Sequence, residues 1–362
     1  MQSPTASDDL WEPLCEAFPG VPVGWKISDG DQTEEAYQHG TSILGLSFSP
    51  DDSLLALAGG GCIPGVDGSI RLIDVATKKN IRTLWAHVCG VHDVSFDLQS
   101  GLLATASYDY AAHLWNLDEG DVIFLIGGDD KTKGYSKFTR KGSLLAIGEY
   151  ARYAGPHSIH LYDLKSQKKV FQYALPDELG VGAMALSSDS QHLALIASNQ
   201  DETTESRLLV MRMGPFSVEI VKEHIFENFA FRALAFVGGN DRLVGGVCDD
   251  SSGDFETSLI EIDVSSGEIL WSERLGEIRV EIACHPHASE IAVAYEELKI
   301  RFYDPNGWRL LREIQLKDDA PYEGICSLAY SNRGDLLAYG RSNGKFGILT
   351  LPARDERADT PQ

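Results

Sequence analysis

The chain has few cationic residues for its length. In 362 residues, 31 lysines and arginines stand against 54 aspartates and glutamates, which gives a formal net charge of −23. Such a surface repels phosphate backbones, so the charge argues against nucleic acid as the main partner. It favours basic proteins, basic peptides or cations, although acidity can also serve only to keep a protein soluble.

Cysteine is scarce as well, and the six cysteines form no Cys-x-x-Cys pair. We expect Cys284 and Cys326 to behave as small buried side chains. The N-terminal residues lack the basic and apolar stretches of a signal peptide, and no apolar run approaches the length of a membrane span. These absences predict a cytoplasmic protein that does not enter a membrane.

Patterns that would indicate catalysis or metal binding are also lacking. No Gly-x-Ser-x-Gly elbow occurs, and the glycine-rich run 59–68 is not followed by the helix that a phosphate site needs. The Cys-His-Pro-His run at 284–287 lies in a predicted turn, where consecutive ligands would not close a tetrahedral site. The acidic run 249–254 lacks the spacing of an EF-hand. We therefore expect no catalytic residue, no cofactor and no metal.

What recurs instead is a unit of short predicted strands, and no long helical pattern interrupts residues 40–352. The clearest copy has strands at 91–96, 102–107 and 112–116. Seven copies can be aligned on the last residue of a Leu-Leu-Ala-like strand, at Ala56, Ala104, Ala146, Ala194, Val244, Ala292 and Ala338. Their spacing of 42 to 50 residues is typical of propeller blades.

The sequence thus predicts an all-β fold, a seven-bladed β-propeller of four-stranded antiparallel blades. The seventh unit lacks a fourth strand, because the chain turns polar at Pro352. A ring of blades must leave no exposed sheet edge, so we expect an N-terminal strand near Trp25 to close it. The predicted division is a polar tail at 1–20, one propeller at 21–352 in which 21–42 completes the last blade, and a second tail at 353–362.

The second unit resembles those of the WD40-repeat family, and the resemblance extends over about residues 21–351. His87 precedes its first strand, Ser107 ends its second, Asp109 lies in the tight turn, and Trp115 ends its third. The resemblance implies that these four side chains form a structural, hydrogen-bonded tetrad. It also implies protein or peptide binding, often within a larger assembly.

The register of the repeat assigns acidic loops to one face of the propeller, the face of His87 and Asp109. The candidate partner-binding residues there are Asp201, Glu202 and Glu205 in unit four, Asp249, Asp250, Asp254 and Glu256 in unit five, and Glu296 and Glu297 in unit six. The opposite face carries lysine-rich turns. Clustered acid attracts cationic partners, so the pattern predicts docking of a basic segment.

A second candidate surface is the loop of unit three, where Tyr150, Arg152 and Tyr153 are residue types that anchor interfaces. The leading functional prediction is a non-catalytic scaffold that binds another protein or a basic peptide, and neither nucleic acid nor a membrane. Two alternatives stay open. One is a propeller enzyme of the quinoprotein or lactonase kind, suggested by the run 266–271 with Trp271. The other is a cation or small-ligand sensor that uses the acidic mouth.

Overall fold

Short β-strands make up all the regular structure in the part of the chain that can be described. A computed structural model describes residues 26–29, 42–60, 68–85, 87–99, 101–127, 133–138, 144–149, 157–176, 179–198, 205–214, 218–249, 256–276, 279–287, 290–295, 298–316 and 324–352. Within these ranges there is no helix long and apolar enough to cross a membrane.

The strands group by sequence into seven sheets, which we number as blades one to seven. Blade one contains β1 (Lys26–Asp29), β2 (Ile43–Phe48), β3 (Leu54–Gly59), β4 (Ser69–Asp74) and β5 (Lys79–Trp85). Blade two contains β6 (Val91–Phe96), β7 (Leu102–Ser107), β8 (Ala112–Asn116) and β9 (Asp121–Ile126). Blade three contains β10 (Lys133–Phe138), β11 (Leu144–Glu149), β12 (Ser158–Asp163) and β13 (Lys168–Ala174).

The remaining blades follow the same order. Blade four contains β14 (Gly180–Leu186), β15 (His192–Ser198), β16 (Glu205–Met213) and β17 (Val218–Glu227). Blade five contains β18 (Phe229–Phe236), β19 (Arg242–Asp249), β20 (Glu256–Asp263) and β21 (Ile269–Gly276). Blade six contains β22 (Glu281–Cys284), β23 (Ile291–Tyr295), β24 (Lys299–Asp304) and β25 (Arg309–Gln315), and blade seven contains β26 (Ile325–Tyr330), β27 (Leu336–Arg341) and β28 (Phe346–Thr350).

Every sheet is antiparallel, and apart from β1 the strands of each sheet pair in chain order from the inner first strand outward. In blade two, for example, Leu102 of β7 lies opposite Asn116 of β8. The second strands are almost wholly buried, as in Leu-Leu-Ala-Thr-Ala-Ser of β7. Outer strands such as β13 are largely exposed or half-buried. The predicted seven-bladed propeller is therefore confirmed.

The apolar core is divided into clusters that lie between blades. One cluster joins Leu72 and Leu84 of blade one to Val94 and Trp115 of blade two. Six further clusters among the described residues join blades two and three, three and four, four and five, five and six, six and seven, and seven and one. Each blade therefore buries one face against the blade before it and the other against the blade after it, which closes the ring.

The N-terminal strand lies in a different place from the one predicted. A strand does form at Lys26–Asp29, but it pairs with β5, with Ile27 opposite Leu84, and so extends blade one to five strands. Blade seven has three strands in the described part of the chain. For Lys26–Asp29 this pairing differs from the expectation that residues 21–42 complete the last blade; residues 21–25 and 30–41 lie outside the described part of the chain. Without β1, the outer edge of β5 would offer the same unpaired backbone groups as the outer edge of β28. An N-terminal strand can therefore pair with either edge.

The seam between blades one and seven is closed by side chains. Ile43, Leu55 and Leu57 of blade one pack against Ala338 and Ile348 of blade seven. At the end of the seam where β2 begins, Ser327 Oγ donates a hydrogen bond of 2.9 Å to the carbonyl of Ile43. Gly340 is required here, since a Cβ at that position would lie 2.5 Å from Ile43 Cγ2.

A carboxylate secures the other end of the seam. Asp52, which is 7% exposed, accepts hydrogen bonds from the backbone N–H groups of Asn332 (2.7 Å) and Arg333 (3.0 Å). The side-chain amide of Asn332 donates a third bond of 2.8 Å to Asp52 Oδ1. Asp52 has a φ of 61°, a conformation that Asp and Asn adopt more readily than most residues.

We expect Asp52→Asn to weaken this seam without straining the backbone. The amide keeps the shape but turns one acceptor into a donor facing an N–H group, which should lower the free energy of unfolding by about 1–3 kcal/mol. Asp118→Asn, at an exposed turn, is the matched control. Urea unfolding measures both variants, and equal loss of stability in the two would contradict the role of Asp52.

Candidate functional site: the upper face and the channel mouth

The ring has two faces that the strand directions define. We call upper the face that carries the loops between second and third strands and the links between blades, and lower the face with the other turns. His87 lies in a link between blades and Asp109 in a second-to-third-strand turn, so both are upper, as the repeat predicts. Blade two shows what holds this face together.

Four side chains of blade two form one buried hydrogen-bonded chain. His87 Nδ1 donates to Asp109 Oδ2 at 2.9 Å, and its Nε2 lies 2.8 Å from Thr105 Oγ1. Trp115 Nε1 donates to the same Thr105 oxygen at 3.2 Å. Since the carboxylate receives the Nδ1 proton, Nε2 is the acceptor of the Thr105 hydroxyl proton. Asp109 also accepts the backbone N–H groups of Val88 and Ala111, at 2.9 and 3.1 Å.

The hydroxyl between His87 and Trp115 belongs to Thr105, whereas the sequence resemblance assigned it to Ser107. Ser107 Oγ instead donates to the carbonyl of Gly90 at 3.0 Å and accepts the N–H of Asp109 at 3.1 Å. Both hydroxyls are on the same side of β7, because residues two apart on a strand share a face. Spacing alone therefore does not distinguish them.

Blade three replaces this tetrad with a buried ion network. Glu149 ends β11 as Ser107 ends β7, and its Oε1 accepts hydrogen bonds from Lys133 Nζ (3.0 Å) and His160 Nε2 (2.9 Å). Its Oε2 accepts the N–H of Ser158 at 2.7 Å. The side chains of Lys133 and Glu149 are only 1% and 4% exposed.

Burial alone would raise the pKa of Glu149, because it disfavours the charged form. The hydrogen bond from His160 and the charge of Lys133 outweigh that effect and hold the pKa at about 2. The carboxylate is thus ionised across the physiological range. The network anchors the upper end of β11, directly before the segment that begins with Tyr150.

Most of the predicted partner-binding residues lie outside the described residues. These are Tyr150, Arg152, Tyr153, Asp201, Glu202, Asp250, Asp254, Glu296 and Glu297. Asp249 and Glu256 are placed by their backbones, which pair at the upper ends of β19 and β20. Glu205 is at the upper end of β16 and is in contact with Arg207, whose Nε donates to it at 2.6 Å.

Acidic residues from two neighbouring blades meet at this upper edge. Glu205 of β16 lies opposite Glu227, which ends β17 and is exposed. After Asn228 the chain enters β18, where Phe229 lies opposite Asp249. Asp249 in turn lies opposite Glu256. The backbone register therefore brings together four acidic positions, which we call the acidic edge: Glu205, Glu227, Asp249 and Glu256.

The lower face is less basic than the sequence predicts. The exposed lysines of its turns are present, among them Lys78, Lys79 and Lys165. Aspartates share these turns and accept hydrogen bonds from turn residues, as Asp263 does from Ser265 and Ser266. Those bonds hold the pKa of Asp263 at about 2, so the turn carries a negative charge. The difference in charge between the two faces therefore depends on the acidic edge and on the acidic loops next to it in the sequence.

A channel runs along the inner strands and opens on the upper face into a cavity of about 940 Å³. We call this cavity the upper channel. Its charged lining residues are Asp93 of blade two, Lys137 of blade three, Arg232 of blade five, and Arg279 and Glu281 of blade six. Gly45 and Gly182 also line it, in keeping with the small residues that the sequence places in first strands.

Two ion pairs lie in the upper channel. Lys137 Nζ is 3.1 Å from Asp93 Oδ2, which also accepts the N–H of Ser136 at 2.9 Å. Arg279 Nε is 2.9 Å from Glu281 Oε1. Desolvation in the narrow channel raises the pKa of Glu281 to about 7 despite Arg279. The same effect lowers the pKa of His92 to about 4, so its imidazole is neutral at pH 7.

Sequence reasoning did not find these channel residues. The available signal was a charged side chain inside a first strand, where other units carry small or apolar residues. Arg232 in Phe-Ala-Phe-Arg-Ala-Leu and Lys137 in Gly-Tyr-Ser-Lys-Phe fit that description. A perturbed carboxyl beside an arginine in a cavity is a recognised indicator of a functional site.

Other residues that the sequence singled out have packing roles. Trp271 stacks on Trp308 of the next blade, with ring centres 4.2 Å apart, and Trp308 Nε1 donates to Glu261 at 2.7 Å. His285 packs edge-on against Tyr330. Across the described ranges, no group of three or more His, Cys, Asp or Glu side chains is arranged to hold a metal ion.

Comparison with known proteins assigns the first two units to a family model. Residues 31–74 and 78–116 match the model described as WD domain, G-beta repeat. The chain is 33% identical over 94 residues to histone-binding protein MSI1 of Saccharomyces cerevisiae, covering 25% of this chain and 21% of that protein. It is 34% identical over 148 residues to WD repeat-containing protein 1 of Xenopus tropicalis, covering 40% and 22%.

A third relative is SEC12-like protein 1 of Arabidopsis thaliana, 26% identical over 158 residues, which cover 43% of this chain and 38% of that protein. The chain therefore spans less than two fifths of each of these three relatives. Among solved structures, a chain of Kuenenia stuttgartiensis hydrazine synthase superposes with a TM-score of 0.70 at 12% identity, covering 86% of this chain and 96% of that one. That likeness shows the fold alone.

We expect Thr105→Val to destabilise blade two. The substitution keeps the shape but leaves buried Trp115 Nε1 and His87 Nε2 without their common partner, which should cost about 2–4 kcal/mol of unfolding free energy. Thr350→Val at an exposed strand end is the control. Chemical denaturation followed by tryptophan fluorescence measures both, and a loss below about 0.5 kcal/mol would contradict the bridging role of Thr105.

The ion network of blade three predicts a pH-dependent effect of Glu149→Gln. The pKa of Glu149 is lowered from 4.5 to about 2, so the stability it contributes is present above pH 4.5 and is lost as the pH falls toward 2. The stability difference between the two proteins should shrink by about 2 kcal/mol between pH 6 and pH 3. Urea titrations at several pH values measure it, with exposed Glu119→Gln as control; a constant difference would rule this account out.

Proposed function

The chain is a WD40 β-propeller, and from this premise we propose that it is a non-catalytic scaffold that binds another protein by docking a basic segment on its upper face. The observation that carries the proposal is the acidic edge. Four acidic positions of blades four and five lie at neighbouring strand ends on one face. Loops rather than blades carry function on such a scaffold, and these strand ends position the loops.

The electrostatics of the acidic edge favour a cationic partner. Arg207 compensates part of the charge, being 2.6 Å from Glu205 and 3.4 Å from Glu223. Exposed Glu227 and the chain segment between Asp249 and Glu256, which contains Asp250 and Asp254, add further negative charge. Clustered charge of one sign steers a partner of the opposite sign and raises its association rate, more strongly at low salt.

The relatives support the same class of function. Three proteins that share sequence with this chain are named as a histone-binding protein, a WD repeat-containing protein and a SEC12-like protein. The first of these names describes binding to a protein. Each match covers only part of the relative. The matches therefore support a propeller that takes part in protein contacts, but they do not support any particular partner.

Charge reversal tests the proposal. The variant Glu227→Lys/Asp249→Lys/Glu256→Lys should weaken binding of a labelled lysine- and arginine-rich peptide at least tenfold at low salt, as measured by fluorescence anisotropy. The matched control is Asp118→Lys/Glu119→Lys/Asp121→Lys, on exposed positions of the lower face. Both variants change the net charge from −23 to −17, so a difference between them reports position and not total charge.

Two outcomes would overturn the proposal. One is equal weakening in both variants, which would mean that only net charge matters. The other is no measurable peptide binding by the unmodified protein at low salt. Circular dichroism and unfolding curves confirm that both variants are folded before binding is compared.

A further inference from the structure

The upper channel brings cations and carboxylates of four blades into one cavity. It is lined by three cations, Lys137, Arg232 and Arg279, and by two carboxylates, Asp93 and Glu281. Asp93 is engaged by Lys137 and by a backbone N–H group, at 3.1 and 2.9 Å. Among the described lining residues cations outnumber carboxylates, although the chain as a whole has a net charge of −23.

Arg279 of blade six lies in the wall of this cavity. Its Nε is bonded to Glu281, while the side chain as a whole is 55% exposed toward the channel. His92 of blade two, Tyr135 of blade three and Cys326 of blade seven line the same cavity. Groups from blades on opposite sides of the ring thus surround it.

We propose that the upper channel binds a compact oxyanion, a phosphate or carboxylate group, held by Arg279. A guanidinium presents paired N–H donors that match two oxygens of such a group, and charge-assisted bonds of this kind are the strong ones. The bond to Glu281 uses Nε, so the two terminal nitrogens of Arg279 remain as donors for a ligand.

The size and surroundings of the channel set limits on the ligand. A cavity of about 940 Å³ is within the range of small-molecule sites. The net charge of the protein and the acidic edge repel a polyanion such as nucleic acid. A ligand with one or two negative charges escapes most of this repulsion, because exposed charges beyond about 8 Å are screened at physiological salt. The apposed walls of the channel strengthen the attraction inside it.

Glu281 competes with the ligand for Arg279. While Glu281 is ionised, it neutralises part of the guanidinium charge, and the two carboxylates would repel an incoming anion. Removing that charge should therefore strengthen binding, whereas removing Arg279 should weaken it. The two substitutions act in opposite directions, which distinguishes a specific site from a general loss of structure.

Isothermal titration calorimetry and thermal unfolding test the site on the full chain. Inorganic phosphate and succinate are the probes for a free anion, with sodium chloride at matched ionic strength as the reference. A pair of neutral peptides, one with a free C-terminal carboxylate and one amidated, probes a carboxylate carried by another protein. We expect at least one probe to bind and to raise the melting temperature by about 3 °C near 100 Kd.

The variants decide the outcome. Arg279→Gln should weaken binding of that probe at least tenfold, Glu281→Gln should strengthen it, and Arg309→Gln, an exposed arginine of an outer strand, should leave it unchanged. No binding by any probe overturns the proposal, as does equal weakening by Arg279→Gln and Arg309→Gln. Because the acidic edge is not altered, this result is independent of the basic-peptide test of the proposed function.

Discussion

Each blade of this propeller has two apolar faces and too little of its own structure to cover either of them. The seven clusters between blades meet that need, since every one of them combines side chains of two neighbours. No blade could keep its faces out of water alone, and a row of blades with free ends would leave two faces exposed. The closed ring, the channel and the two loop-bearing faces all follow from this one requirement.

The packing between blades could be predicted well from the sequence, because a strand that is buried on both faces consists of small and apolar residues. Small and apolar runs such as Leu102–Ser107 recur at the blade spacing, and the structure has a buried second strand at each of them. Strands with weaker marks were harder to find. The outer strand β17 is ten residues long, yet its exposed charged residues obscure the alternation that would mark a strand.

Positions that depend on contacts between distant residues could not be predicted. An N-terminal strand was expected, but the choice between the edges of β5 and β28 depends on the assembled ring. The hydroxyl of the tetrad could be Thr105 or Ser107 until the side chains were placed. The acidic edge was partly foreseen through Glu205, Asp249 and Glu256, since it follows from register. The charged lining of the upper channel was not, because its five residues come from four blades and have no common motif.

The seam between blades one and seven also has a consequence for how the chain folds. Neighbouring blades are about 48 residues apart, whereas the bond from Ser327 to Ile43 spans 284. Loop-closure entropy grows slowly, so this separation costs only about 1.5 kcal/mol more than joining adjacent blades. The order of events during synthesis matters more. Blades one to six can stack one after another, whereas the contacts between blades one and seven form only after the last blade has been made. Until then two apolar faces remain open, and a ribosome-bound or truncated chain is most exposed to aggregation at these faces.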